Sequence, residues 1–197
     1  MGMQIYLVRH GKIEWQKDKA YIGQLDLPLS QEGINQAEKL RTSFEIIPLD
    51  QAYTSPLSRC VNTLDILLGD RPIPRLTVEA LKEIDMGEWD GKTFSEIKNS
   101  YPGVYEQRGR EIDVFIPPAG ESFVDLKQRV IPAFAEIVKK NRSKSILILA
   151  HAGVIRVILA ELFGLSIKEV FKWTIPYAGI FDLYYDQDSE KWICKNQ

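Results

Sequence analysis

The chain holds two histidines, His10 and His151, and each follows a short apolar run that stops at a polar residue. Residues 5–8 lead into Arg9-His10-Gly11, and residues 146–150 lead into His151-Ala152-Gly153. Runs of this kind read as parallel strands buried on both faces. In open α/β sheets ligands bind beyond the carboxyl ends of the strands, so two histidines far apart in sequence can meet in one crevice. Taken singly, each would more often just end a strand. Together, each is expected beside a helix N-terminus, where free N–H groups favour an anion. Arg9 puts a charge where an apolar strand would otherwise continue, and such a charge needs an anionic partner. Arg59, in Ser55-Pro56-Leu57-Ser58-Arg59, falls in the first turn of a helix, where the dipole disfavours a cation and a bound anion would offset that cost. A guanidinium is planar and forked to match two phosphate oxygens, whereas a lysine is a point charge. Imidazole and guanidinium groups converging on one anion suit transfer of an acidic group. An acid–base carboxylate would come from Glu83, Asp85 or Glu88, and spacing alone does not choose among them.

The elements that must position these residues follow from periodicity. Ser30 caps a helix with Ile34, Ala37, Leu40 and Phe44 on one face, and Ser58–Leu68 places Val61, Leu64 and Leu68 similarly, with Gly69 as its stop. Thr93-Phe94-Ser95-Glu96 and Ser166-Ile167-Lys168-Glu169 fit capping boxes. A long helix is expected from about Ser122 to Asn141, kinked or split by Pro132. Residues 154–163 form an apolar helix closed by Gly164, and residues 179–185 with 191–194 a terminal hairpin. Strands alternating with helices predict an α/β fold, a three-layer α/β/α sandwich around a mostly parallel sheet.

With 197 residues, 45% of them hydrophobic, the chain can bury one substantial core, and residues 1–197 read as a single domain without repeats or linkers. The Pro/Gly-richer stretch within residues 93–121 reads as a lid-like insertion. A net charge of -2 provides no global basic field for nucleic acid or an anionic membrane, so an anionic substrate must be held by a local cluster. The N-terminal residues lack a basic region and meet Arg9 too early for a signal peptide or span, so a cytoplasmic location is expected. Cys60 and Cys194 are too isolated for a disulfide framework or zinc cluster and read as reduced thiols. Gly87-Glu88-Trp89-Asp90-Gly91-Lys92-Thr93 fails as a P-loop, having one residue too few between its glycines and no apolar strand before it. With no HExxH or GxGxxG either, neither a metal nor a cofactor is expected. The sequence does not determine the oligomeric state.

Six ordered motifs carry a resemblance. Leu7-Val8-Arg9-His10-Gly11, then Gly23 with Asp26-Leu27-Pro28-Leu29-Ser30, then Ser55-Pro56-Leu57-Ser58-Arg59, resemble the phosphoglycerate mutase-like histidine phosphatases, branch 1. Glu83-Ile84-Asp85-Met86-Gly87-Glu88-Trp89, Gly120-Glu121-Ser122 with Arg129, and His151-Ala152-Gly153 with Arg156 continue it over most of the chain. The resemblance implies that His10 is the nucleophile that becomes phosphohistidine and that Arg9, Arg59 and His151 bind the phosphoryl oxygens. It implies Glu83 as acid and base, with Gln16 and Gly23 as further substrate contacts, and a small phosphomonoester as substrate. An imidazole nitrogen is a good phosphoryl acceptor near neutral pH, and cationic donors offset charge on the transferring group. Where the family commonly has an acidic residue and a threonine after its RHG, and then an asparagine, this chain has Lys12, Ile13 and Gln16. Ile13 cannot donate a hydrogen bond, and Gln16 carries its amide on a longer arm. Residues 99–121 show no adjacent arginine pair of the kind the mutases use for a substrate carboxylate, which favours hydrolysis over transfer. Ile116-Pro117-Pro118-Ala119-Gly120-Glu121-Ser122 and Glu83-Ile84-Asp85-Met86-Gly87-Glu88-Trp89 are most similar to α-ribazole phosphatases of cobalamin biosynthesis; the alternatives are a broad-specificity small-molecule phosphatase, a phosphoglycerate mutase and, with less support, a non-catalytic phospho-ligand binding module. Trp89, Phe94, Tyr101, Tyr105 and Phe115 are then the candidates to stack on an aromatic base.

Overall fold

The computed structural model describes residues 2–16 and 18–195. In chain order the elements are β1 (Gln4–Arg9), α1 (Gln31–Phe44), β2 (Gln51–Thr54), α2 (Ser58–Leu68), β3 (Arg75–Thr77), α3 (Phe94–Ser100), α4 (Val104–Arg110), α5 (Phe123–Lys140), β4 (Ser145–Ala150), α6 (Ala152–Phe163), α7 (Ile167–Val170), β5 (Ile180–Asp186) and β6 (Lys191–Cys194). Single 3₁₀ turns at Glu79–Leu81 and Gly87–Trp89 punctuate the long connection after β3. The strands form one sheet in the order β3-β2-β4-β1-β5-β6. Its first four members run parallel, and the terminal hairpin β5–β6 adds antiparallel to β1.

The apolar runs become the two central strands because they are covered on both sides. Ile5, Leu7, Ile146, Ile148 and Ala150 join the core under α5 and α6, while Val8, Leu147 and Leu149 face Leu40, Phe44, Leu64, Leu67 and Leu68 of α1 and α2. This is the expected three-layer sandwich. In the register β1 against β4, Arg9 stands opposite Ala150, so His10 and His151 leave the sheet side by side.

Ser30 caps α1 by accepting the N–H of Gly33, and both proposed capping boxes form. α5 runs unbroken through Pro132 and is not split. On α2 the buried side comprises Arg59, Cys60, Thr63, Leu64, Leu67 and Leu68, with Val61 only partly covered, so the helix is rotated from the expected face. The rotation buries the polar pair Arg59 and Thr63, which apolar periodicity cannot anticipate. Sequence patterning also passes over β2 and β3. β3 is three fully exposed residues, Arg75-Leu76-Thr77, held as a strand by parallel pairing with β2 alone. The 93–121 segment is partly regular, carrying α3 and α4. Among the described residues no helix is long and apolar enough to cross a membrane.

Candidate active site

A small polar cavity of about 130 Å³ opens at the carboxyl ends of β1, β2 and β4. Its walls include Arg9, His10, Arg59 and Glu83 from three separate segments, with Ile13, Ala20, Ile22 and Tyr177. His10 is 4% exposed, and its Nδ1 lies 2.7 Å from the carbonyl of Gly11. A carbonyl only accepts, so Nδ1 carries the hydrogen and Nε2 keeps its lone pair. Burial, reinforced by the Arg59 and Arg9 charges, holds the His10 pKa well below the usual imidazole value. The ring is therefore neutral at physiological pH, the form that can attack an electrophile.

Arg59 lines the cavity and meets His151 behind it. His151 is fully buried, its ring centroid 5.1 Å from that of His10. Arg59 Nε donates to His151 Nδ1 at 3.3 Å, which places the imidazole hydrogen on Nε2, 2.7 Å from Ser55 Oγ. Burial, then the charges of His10, Arg59 and Arg9, hold the His151 pKa well below its ordinary value. Arg59 Nη1 and Nη2 donate to the carbonyls of Leu25 and Gly23 at 2.8 and 2.6 Å. The same two residues give their N–H groups to one carboxylate, Asp90 Oδ2 at 2.7 Å and Oδ1 at 2.8 Å. Asp90 thereby turns the 23–25 loop so that its carbonyls meet the arginine. Gly23 is required by crowding, since a Cβ there would lie 2.4 Å from the carbonyl oxygen of Ile84.

Glu83 separates from its two rivals by position. Its carboxylate lines the cavity and accepts the N–H of Gly153, 3.1 Å from each oxygen, in the first turn of α6. A Cβ at Gly153 would fall 2.3 Å from Glu83 Oε1, so this approach demands glycine. Asp85 instead accepts the N–H of Gly87 at 2.8 Å, and Glu88 is exposed.

The structure thus brings Arg9, His10, Arg59, His151 and Glu83 together. Gln16 it leaves outside, exposed and 3.3 Å from Glu14 Oε1, and Gly23 spends its N–H on Asp90 rather than on a ligand. The expectation of a helix start beside each histidine holds for His151, the N-cap of α6, but His10 leads into a loop that reaches α1 at Gln31. The anions at the helix N-termini are the protein's own. Glu83 occupies that of α6, and Asp26 accepts the backbone N–H and hydroxyl of Ser58 at 2.9 and 2.8 Å on α2. The cost of Arg59 in the first turn is met by loop carbonyls.

Sequence reasoning missed Tyr177. Arg9 stacks on its ring with the guanidinium carbon 3.8 Å from the centroid, and the His10 ring is 5.6 Å away. The turn carrying it is bonded to the end of β1, Ala178 N–H to the His10 carbonyl at 3.1 Å and Arg9 N–H to the Gly179 carbonyl at 3.0 Å. Pro176-Tyr177-Ala178-Gly179, an aromatic in a tight turn just before the terminal hairpin, was the available signal. Arg9 Nη1 donates to the Ile175 carbonyl at 2.6 Å, but its buried Nε has no partner. Cys60 lies 3.4 Å from His151 Nε2, and burial pushes its thiol pKa up, which disfavours the thiolate.

Outside the polar cavity lies a second of about 280 Å³, sharing Ile13, Ala20, Ile22 and Tyr177 with it and adding Lys12, Trp15, Lys19 and Phe94. This vestibule corrects the proposed stacking set. Trp89 is fully buried against Tyr21, Tyr101 and Phe115, and of the five aromatics first considered Phe94 alone lines the vestibule. The Trp89 indole instead packs against Tyr101 and Phe115 of the 93–121 segment.

Comparison with known proteins places this geometry. The sequence profile of the histidine phosphatase superfamily (branch 1) matches residues 5–197. The adenosylcobalamin/α-ribazole phosphatase of Escherichia coli K12 is 27% identical over 173 residues, covering 88% of this chain and 85% of the relative. A 2,3-bisphosphoglycerate-dependent phosphoglycerate mutase of Gloeobacter violaceus is 32% identical over 178 residues, covering 88% and 81%. The solved α-ribazole phosphatase of Shigella flexneri superposes with a TM-score of 0.89 at 25% identity, covering 98% of this chain and 95% of that one.

Proposed function

Since the chain belongs to the histidine phosphatase superfamily, branch 1, we propose that it hydrolyses small phosphomonoesters through a phosphohistidine formed on His10 Nε2. The observation that carries this reading is the pairing of a neutral imidazole, locked through Nδ1, with a buried Arg9 Nε that has no partner in the protein. An incoming phosphoryl oxygen meets that unpaired donor, and Arg59 grips a second. On the family's pattern His151 donates its Nε2–H to the third; that hydrogen goes to Ser55 Oγ in the structure, so the donation exchanges one acceptor for another.

Nε2 attacks phosphorus as the ester P–O bond breaks, and Glu83 protonates the departing alkoxide. As a carboxylate it then takes a proton from the water that attacks the phosphohistidine, releasing phosphate and restoring both groups. The protein works as one domain, with segment 93–121 as a lid-like wall that reaches the vestibule through Phe94. α-Ribazole 5′-phosphate is the leading substrate, supported by the named relatives and by the aromatic vestibule of Trp15, Phe94 and Tyr177. A broad phosphatase is the second reading, favoured by Lys12 and Lys19, which give the vestibule affinity for acidic alcohols as well.

The test is a rapid quench with ³²P-labelled substrate. Label that is acid-labile, base-stable and absent from His10→Ala supports the reading; label on another residue refutes it. Comparing kcat/KM for α-ribazole 5′-phosphate, nucleoside monophosphates, sugar phosphates and phosphoglycerates then decides the substrate. A clear lead for the ribazole ester supports the first reading, and a flat profile the second.

A further inference from the structure

Arg129 of α5 does not line the cavity, yet all five of its N–H directions are spent on the segment that carries Glu83 and on one carboxylate. Nε and Nη2 form a bidentate pair with Glu121, 2.9 Å to Oε1 and 2.6 Å to Oε2. Nη1 also reaches the carbonyls of Ala80 and Lys82 at 2.8 and 2.9 Å, and Nη2 the carbonyl of Glu83 itself at 2.9 Å. Glu121 completes the frame from the other side. Its Oε2 accepts the N–H of Asp85 at 2.8 Å, and its own N–H donates to the Asp85 carbonyl at 2.9 Å.

Residues 82–86 have no helix or strand of their own, so their carbonyls must find partners elsewhere. We propose that the Glu121–Arg129 pair is the positioning device of the acid: a rigid fork that fixes the backbone on both sides of Glu83 and so aims its carboxylate at the leaving oxygen. The inference rests on the reading of Glu83 as acid and base. The fork geometry makes arginine necessary, because a lysine ammonium cannot bracket a carboxylate and three carbonyls in one plane. Its consequence is selective. A misaimed acid slows loss of a poor leaving group, which needs a proton, and spares one that departs unaided.

The experiment compares kcat/KM for an alkyl phosphate and for p-nitrophenyl phosphate in the wild type, Glu83→Gln, Arg129→Lys, Glu121→Gln and the double variant Glu83→Gln/Arg129→Lys, with thermal melts alongside. Arg129→Lys and Glu121→Gln are expected to lose on the order of 10- to 100-fold on the alkyl ester and no more than about threefold on the nitrophenyl ester. In the Glu83→Gln background, Arg129→Lys should add no further alkyl loss. Equal losses on both esters, no loss, or an additive loss in the double variant overturns the proposal. Should Arg129→Lys fail to fold, Glu121→Gln decides alone. If Glu83→Gln itself falls equally on both esters, the reading of Glu83 fails and takes the proposal with it, an outcome distinct from failure of the fork alone.

Discussion

The polar cavity and the vestibule meet at Ile13, Ala20, Ile22 and Tyr177, yet they are built on opposite principles. The cavity draws its polar side chains from the end of β1, the start of α2 and the irregular segment around Glu83, and several of them are held by a second residue: His10 by Gly11, Arg59 by Gly23, Leu25 and His151, Glu83 by Gly153. The vestibule is formed by the loop between β1 and α1, the start of α3 and the turn before β5, with side chains that, apart from the buried Ile13, are partly or fully exposed. Preorganised donors in a buried site stabilise developing charge without reorganising. Partly exposed apolar walls contribute to binding of whatever alcohol is attached. On the proposed function, grip and discrimination fall to different parts of the molecule.

The sharpest way to break this division is to remove part of the grip. Arg59→Ala should cost on the order of 10²–10³ in kcat/KM, and by the same factor for every substrate, since it meets only the shared phosphoryl group. A loss confined to one leaving group would show that the two regions are not separable.

The second test is stability against pH. Burial holds the pKa values of His10 and His151 below the unfolded value near 6.5, so below that pH the unfolded chain binds protons that the native chain does not. Native stability is therefore full above pH 6.5 and falls as the pH drops through the window beneath it, by up to about 1.4 kcal/mol per pH unit for each histidine. The melting temperature of His10→Gln should fall less steeply with acid than that of the wild type. Parallel curves would remove His10 from this account.

In the vestibule, Trp15→Ala and Phe94→Ala should each lower kcat/KM for a ring-bearing ester about tenfold, while glycerol phosphate barely responds. Equal losses on both esters would make these rings structural supports. The smallest effect is expected at Lys12, which pairs with Glu32 and is exposed. Lys12→Ala should weaken acidic substrates by no more than a few-fold, and less at high salt. A large, salt-insensitive loss would place Lys12 in the grip instead.

Much of this was legible in the chain itself. Two apolar runs, each ending at a histidine and a glycine, predict parallel central strands with a shared edge, because continuous burial on both faces leaves no other use for such runs. Capping boxes and apolar periodicity placed the helices, and the residue types of Arg9, His10, Arg59, His151 and Glu83 restricted the chemistry to phosphoryl transfer once the motifs were recognised. These signals are local, carried by neighbours within a few residues, and local signals survive without coordinates.

What only the tertiary structure decided depends on residues meeting across long sequence distances. It set Glu83, rather than Asp85 or Glu88, in the cavity wall and against Gly153, some seventy positions away. It also swung Tyr177 onto Arg9, buried Trp89, left Gln16 outside, and raised the exposed residues Arg75-Leu76-Thr77 to a strand by pairing alone. Side-chain type states what a residue can do, but which partner it meets is set by how the layers pack, and packing is a property of the whole chain.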